Sequence, residues 1–305
     1  MLVLGHQNPD CDSLCSAIGL AALFNKIGRP ATPVLQGEPN PEAQYLLAQA
    51  NFATPEIRTE VAGEEIFIVD YSDWGQGTSD MKKATILGIV DHHKLGDITT
   101  STPLECWIWP VGCSATIVYN MYKFHNQTPD TDVAKLMMGA IISDTVNFKG
   151  PTTTDIDKVA AKALAEIAGV SDMQAFAEAQ FEAKSDIADV SAAELILRDQ
   201  KVFEMAGEKL AIGQLELTSL ETAFSKKDEM LVEMGQLQAD KGYHSTIVLL
   251  TDINKLDTTA LIISKDAQKI AKALNSTVID HAFELPGVVS RKKQIIPFLQ
   301  KAFEG

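Results

Sequence analysis

Short apolar runs that end abruptly on acids or imidazoles, alternating with helical segments, constrain this chain more than any other feature of it. Leu2–Leu4 runs through Gly5 into His6, "EEIFIVD" ends on Asp70, and "ATILGIVDHH" ends on Asp91, His92 and His93. Around them the spacing predicts helices. One starts at Asp12 or Ser13, either of which can cap it, and runs to about Ile27 before Gly28. Another covers "PEAQYLLAQAN", after a strand in "ATPVLQG", and three more lie over 113–124, 131–142 and 155–168. Runs apolar on both faces and separated by helices mark parallel βαβ construction. In open sheets of that kind ligands bind beyond the C-terminal ends of the strands, where these polar groups fall. The segment "GAIISDTVNFKG" delivers Asp144 after a further apolar stretch.

After "FEAKSDIADVSAAE" the pattern changes. "KVFEMAGEKLAIGQLEL" reads as a hairpin turning at "AGEK", followed by a long helix over about 219–240 and strands in "HSTIVLLTD" and "TTALIISKD". A helix in "AQKIAKALN" and the closing segment "PGVVSRKKQIIPFLQKAFEG" complete the chain. The expected fold is α/β in two domains: 1–186, a parallel sheet with flanking helices, and 192–305, a smaller mixed α/β domain. The joint near 186–192 is short and partly helical. A length of 305 residues suits two domains better than one.

The net charge of −15 argues against a general nucleic-acid surface, which needs clustered Lys and Arg. No apolar run approaches the ~18 residues that cross a bilayer, and the first residues lack the basic start and apolar stretch of a signal peptide. No membrane partner is expected, and the cytoplasm is the default location. Cys11, Cys15, Cys106 and Cys113 contain no CxxC pair and read as free thiols; Cys11 and Cys15, one helical turn apart, read as small packed thiols with soft-metal binding as the rival reading.

His6, Asp10, Asp12, Asp70, His92 and Asp144 assemble four carboxylates and two imidazoles. Oxygen ligands suit hard divalent ions, and added imidazole favours a transition metal over Mg²⁺ alone. So many carboxylates can hold two ions, and a bridging carboxylate would reduce their repulsion; paired ions activate water and polarise a phosphoryl oxygen. An isolated acid of this kind is often only a cap or turn former. What separates this set is its shared sheet edge. Near the other end, Arg291, Lys292 and Lys293 of "SRKKQ" lie between apolar segments of an acidic chain, suited to a multiply charged anion. Closing the cationic cluster on the metal site would make a phosphate-hydrolysing cleft between the domains.

"GHQNPDCDS", "VDYSD", "VDHHKLGD", "GAIISDTVNF" and "PGVVSRKKQIIP", in that order, resemble the DHH phosphoesterase superfamily and, within it, the family II inorganic pyrophosphatases. The resemblance spans essentially the whole chain; the DHH triplet marks the superfamily, and SRKKQ this branch. It implies hydrolysis of pyrophosphate to two phosphates with Mn²⁺ or Co²⁺ at a dinuclear site, Mg²⁺ joining with substrate, in a homodimer formed through the first domain. It places His6, Asp10, Asp12, Asp70, His92 and Asp144 as metal ligands, Asp70 bridging. One ion leans on His6 and Asp10, the other on Asp12, His92 and Asp144. His93, Lys201, Arg291 and Lys292 match phosphate-holding positions, and Asp91 one that orients an imidazole. In this reading a metal-bridging water attacks in line, and Asp70, His93, Lys201, Arg291 and Lys292 form the catalytic set.

One departure stands out: "VDYSD" replaces the usual "VDHNE", so Tyr71 takes a histidine's place and bears on metal preference. The chain is too short for the regulatory nucleotide-binding insert of some relatives. The enzymatic alternative is an exopolyphosphatase or oligonucleotide-cleaving relative, the latter opposed by the acidic charge and by the lack of a "GGGH"-like segment. A metal- or phosphate-sensing protein without turnover is the non-enzymatic one.

Overall fold

The computed structural model describes residues 1–304. They divide into two units, one ending at Ala183 and the other starting at Lys184.

In the first unit β1 (Leu2–Leu4), β2 (Thr32–Val34), β3 (Glu65–Val69), β4 (Thr85–Asp91) and β5 (Glu105–Ile108) form one all-parallel sheet in the order β2-β1-β3-β4-β5. Ile66, Phe67, Ile68 and Val69 are all buried, as a strand covered on both faces requires. The strand order changes direction between β1 and β3, the position at which open α/β sheets place ligands. The unit's helices are α1 (Cys11–Lys26), α2 (Pro41–Gln49), α3 (Ser114–Phe124), α4 (Thr131–Asp144) and α5 (Asp155–Ala168). Glycines let them approach closely: a Cβ on Gly19 would stand 2.7 Å from the Met137 sulfur of α4, and one on Gly139 would stand 2.5 Å from Leu46 of α2. Helix α6 (Met173–Ser185) carries the chain across the division.

The second unit contains α7 (Ala192–Leu197), α8 (Glu221–Ser225), α9 (Lys227–Lys241), α10 (Ala267–Ala273) and α11 (Ile296–Glu304). Its strands β6 (Lys201–Met205), β7 (Glu208–Leu217), β8 (Ser245–Asp252), β9 (Asp257–Ser264) and β10 (Ala282–Leu285) are ordered β10-β9-β8-β7-β6. Only β7 and β8 pair in parallel. Alternation along β8 feeds two cores: Ile247 and Leu249 pack with Ile270 and Leu299, Val248 and Leu250 with Leu195, Met230 and Met234. A π-helical turn over Arg291–Ile295 leads into α11.

Several local expectations change. Strands β5 and β10 were not foreseen, because "ECWI" and "AFEL" are short, mixed edge segments without a buried run. The helix expected over 219–240 is two, parted at Lys226. The first helix is capped by neither Asp12 nor Ser13. Asp10 holds the N-cap, its carboxylate accepting from the Ser13 N–H, which places Asp12 inside the first turn.

Candidate metal centre

Because β1, β3 and β4 are neighbours, the segments leaving their C-terminal ends converge. Asp70 stands at the point of convergence, directly after β3 and 2% exposed. Its φ of +69° is the left-handed region, unusual for a residue with a Cβ and costing about 1–3 kcal/mol where it is imposed. Its N–H still bonds the Val90 carbonyl at 2.8 Å, so the chain turns out of the sheet only after its last ladder bond. The two carboxylate oxygens face different partners. Oδ2 is 3.3 Å from His6 Nε2, whereas Oδ1 is 3.3 Å from His92 Nε2 and 3.5 Å from His93 Nδ1. Asp10 Oδ2 stands 3.5 Å from His6 Nε2, and Asp12 Oδ2 and Asp144 Oδ2 each stand 3.8 Å from His92 Nε2.

Each group is held by its own surroundings. Asp12 accepts from the Ser114 and Ala115 N–H groups at 2.7 and 3.1 Å, from the Ser16 hydroxyl at 2.5 Å and from the Cys113 thiol at 3.1 Å. Those amides open α3, where the helix dipole favours a negative charge. His92 Nδ1 lies 3.1 Å from the Val111 carbonyl, which leaves Nε2 as the nitrogen that faces the acids. The fully buried Asp91 orients the other imidazole: its Oδ1 accepts from the His93 N–H at 3.0 Å and Nδ1 at 2.9 Å. Asp144 is the last residue of α4.

The charges respond strongly. Burial disfavours the His6 cation, but Asp10 and Asp70 overcome it and push its pKa up to about 10. Burial, then repulsion from Asp70, lifts Asp12 to about 6. Burial also opposes the Asp70 anion, yet His6 and His92 hold it well below the ordinary carboxylate range. His6 Nε2 is buried and aligned with no hydrogen-bond acceptor, although two carboxylate oxygens lie within 3.5 Å. That arrangement fits a cation placed among them. Three sets have ligand atoms mutually within 4.8 Å: His6, Asp10 and Asp70; Asp70, His92 and His93; Asp12, Cys113 and Asp144. Oxygen-rich donors with imidazole suit Mn²⁺-like ions.

Lys201, Arg291 and Lys292 belong to the second unit. Arg291 is buried: it donates to the Ile212 carbonyl at 2.9 Å and to the Asp199 carbonyl, and its other amine pairs with the Asp199 carboxylate at 3.0 Å. Lys201 starts β6 opposite Ile212, so Arg291 reaches both flanks of that strand's start. Lys292 is exposed on the π-helical turn. Tyr71 is fully buried in an apolar cluster with Leu4, Ile68 and Met81; its hydroxyl accepts from Gln36 Nε2 at 3.0 Å and meets the Met81 sulfur at 3.1 Å.

Sequence reasoning missed the supports: the Val111 carbonyl, the Ser114 and Ala115 amides, and the Cys113 thiol donating to Asp12. Backbone groups carry no residue signature, and the cysteine read only as a free thiol.

Residues 1–141 match the model of the DHH family, N-terminal domain, and residues 178–302 that of the DHHA2 domain. A manganese-dependent inorganic pyrophosphatase of Bacillus subtilis (strain 168) is 38% identical over 304 residues, spanning 99% of this chain and 98% of that protein. A protein of Archaeoglobus fulgidus named as a probable manganese-dependent inorganic pyrophosphatase is 40% identical over 313 residues, spanning 99% and 97%. Among solved structures, "Crystal structure of Methanococcus jannaschii putative family II inorganic pyrophosphatase" superposes with a TM-score of 0.91 at 37% identity, covering 100% of both chains.

Proposed function

This chain belongs to the manganese-dependent, family II inorganic pyrophosphatases of the DHH superfamily, and from that premise we propose that it hydrolyses pyrophosphate to two phosphates with Mn²⁺. The observation that carries the reading is Asp70, whose two oxygens face His6 on one side and His92 on the other. A carboxylate so placed suits a bridge between two ions, one with His6 and Asp10, the other with Asp12, His92 and Asp144. Mn²⁺ or Co²⁺ fits these donors, and Mg²⁺ can enter with substrate. Bound there, divalent ions acidify water and polarise a phosphoryl oxygen.

The chain's own residues supply the rest. His93, its Nδ1 tied to Asp91, presents a fixed Nε2 edge for a phosphate or a proton on the leaving side. Lys201, Arg291 and Lys292 are assigned to the phosphate oxygens. Arg291 already holds the Asp199 carboxylate through one terminal nitrogen, and gripping a phosphate would mean exchanging Asp199 for a more highly charged anion. The exposed edge of β5 supports a homodimer formed through the first unit. The cytoplasm is the proposed location, and no helix among the described residues is long and apolar enough to cross a membrane.

The test is phosphate release from metal-stripped protein given pyrophosphate, tripolyphosphate or a dinucleotide, each with Mn²⁺, Co²⁺ or Mg²⁺. Rapid Mn²⁺-dependent release from pyrophosphate alone is expected. Preference for tripolyphosphate or the dinucleotide would move the chain to the polyphosphatase or oligonucleotide-cleaving branch, and absence of turnover would favour a sensor.

A further inference from the structure

We propose that Asp157, which is outside the metal-ligand set, positions Asp12, His92 and Asp144 as a group by fixing the turn formed by residues 111–115. Asp157 is fully buried in the first turn of α5. Its Oδ2 accepts from the Gly112 N–H at 2.9 Å, and from the Thr154 N–H and hydroxyl at 2.8 and 2.7 Å. Its Oδ1 accepts from the Thr116 hydroxyl at 2.7 Å. Capping α5 needs only the Thr154 bonds. The bonds to Gly112 and Thr116 instead seize both ends of the segment that enters α3.

That segment serves the metal centre at three places. The residue before Gly112 offers its carbonyl to His92 Nδ1, fixing the ring with Nε2 turned to Asp12, Asp70 and Asp144. The residues after it direct the Cys113 thiol and the Ser114 and Ala115 amides onto Asp12. Gly112 itself lies against Thr145, the neighbour of Asp144: an added Cβ would stand 2.8 Å from Thr145 Cγ2 and 2.9 Å from Asp157 Oδ2. None of these contacts involves His6 or Asp10. Loosening the turn should therefore disturb one half of the centre and spare the other.

The inference rests on the two-ion reading above, so the first measurement is Mn²⁺ uptake by the metal-stripped wild-type chain, followed by the electron paramagnetic resonance signal of free Mn²⁺. Uptake of fewer than two ions would refute that reading itself. Given two, Asp157→Ala should weaken one ion by about 10–100-fold, the usual cost of losing an outer partner, and leave the other unchanged. Asp157→Asn should retain both ions, since an amide oxygen can still accept from Gly112 and its NH₂ can donate to Thr116. Thr154→Ala removes a cap but not the Gly112 bond; it should lower the melting temperature without altering uptake. If Asp157→Ala does not fold, Gly112→Ala attacks the same turn from the other side, with the same selective loss expected. Wild-type affinity for both ions in the folded Asp157→Ala or Gly112→Ala variant would overturn the assignment, as would an equal loss in Thr154→Ala.

Discussion

At the residue scale the centre is a balance of largely buried charges that a bound cation would relieve. Asp70 is the pivot, and Asp70→Asn should lower Mn²⁺ affinity by more than the about 10–100-fold that outer partners cost, with activity falling in parallel. Calorimetric titration beside phosphate release checks this, and retained binding of both ions would remove Asp70 from the bridging place. The two raised pKa values set the pH dependence. Metal-free His6 keeps its proton up to about 10 instead of 6.5, so its stabilisation is complete below 6.5 and is lost as the pH rises through about 10. Asp12 keeps its proton up to about 6 instead of 3.8; the advantage of the neutral form is complete below 3.8 and gone above about 6. At neutral pH and above, the metal-free fold thus carries an ionised, disfavoured Asp12, and an ion held by His6 as proposed would displace its proton. Mn²⁺ should raise the melting temperature more at pH 8 than at pH 5, and titration in buffers of different ionisation heat should show protons released on binding. Binding without release would place His6 outside the ligand set.

At the element scale the proposed ligands depend on how closely β1 meets α1. A Cβ on Gly5 would fall 1.8 Å from the Ser13 hydroxyl and 2.7 Å from its carbonyl, so Gly5→Ala must part strand from helix, and with them His6 from Asp10. A cost of about 1–3 kcal/mol or more is expected, as for overpacked interiors, with weaker uptake of the ion at His6 and Asp10. Denaturant midpoints and Mn²⁺ titration measure the two effects separately. The same elements explain what could be read from sequence. β3 and β4 were legible because both faces are buried and the runs stop on polar groups, which also exposed Asp70, His92 and His93. β5 and β10 lie at sheet edges, where half-buried, mixed segments lose that contrast. Asp10 and Asp12 are both good caps, and only the direction of a side chain tells them apart. Asp157 reads as a helix-capping acid in "TTTDID"; its hold on Gly112, 45 residues away, is a tertiary fact that no local pattern encodes.

At the scale of the whole molecule the open feature is the edge of the first sheet. β5 pairs only with β4, leaving the other side of its ladder without a strand among the described residues, a liability that soluble proteins cover or blunt. Apolar groups gather beside it: Phe124 is 67% exposed with its ring edge-on to Trp107, and Val159 is 64% exposed. A groove of about 380 Å³ lined by Trp109, Tyr119 and Val159 adjoins them. A two-fold axis perpendicular to β5 would pair its free edge antiparallel with that of a second copy and bring the same patch against this one, covering edge and aromatics together. Phe124 touches none of the metal-centre groups, so Phe124→Glu should break the association and leave Mn²⁺ uptake per chain intact. Sedimentation should show the wild type at twice the chain mass and the variant at one chain mass. A variant that remains dimeric would move the interface off this edge, whereas a monomeric wild type would mean that β5 is left uncovered in solution.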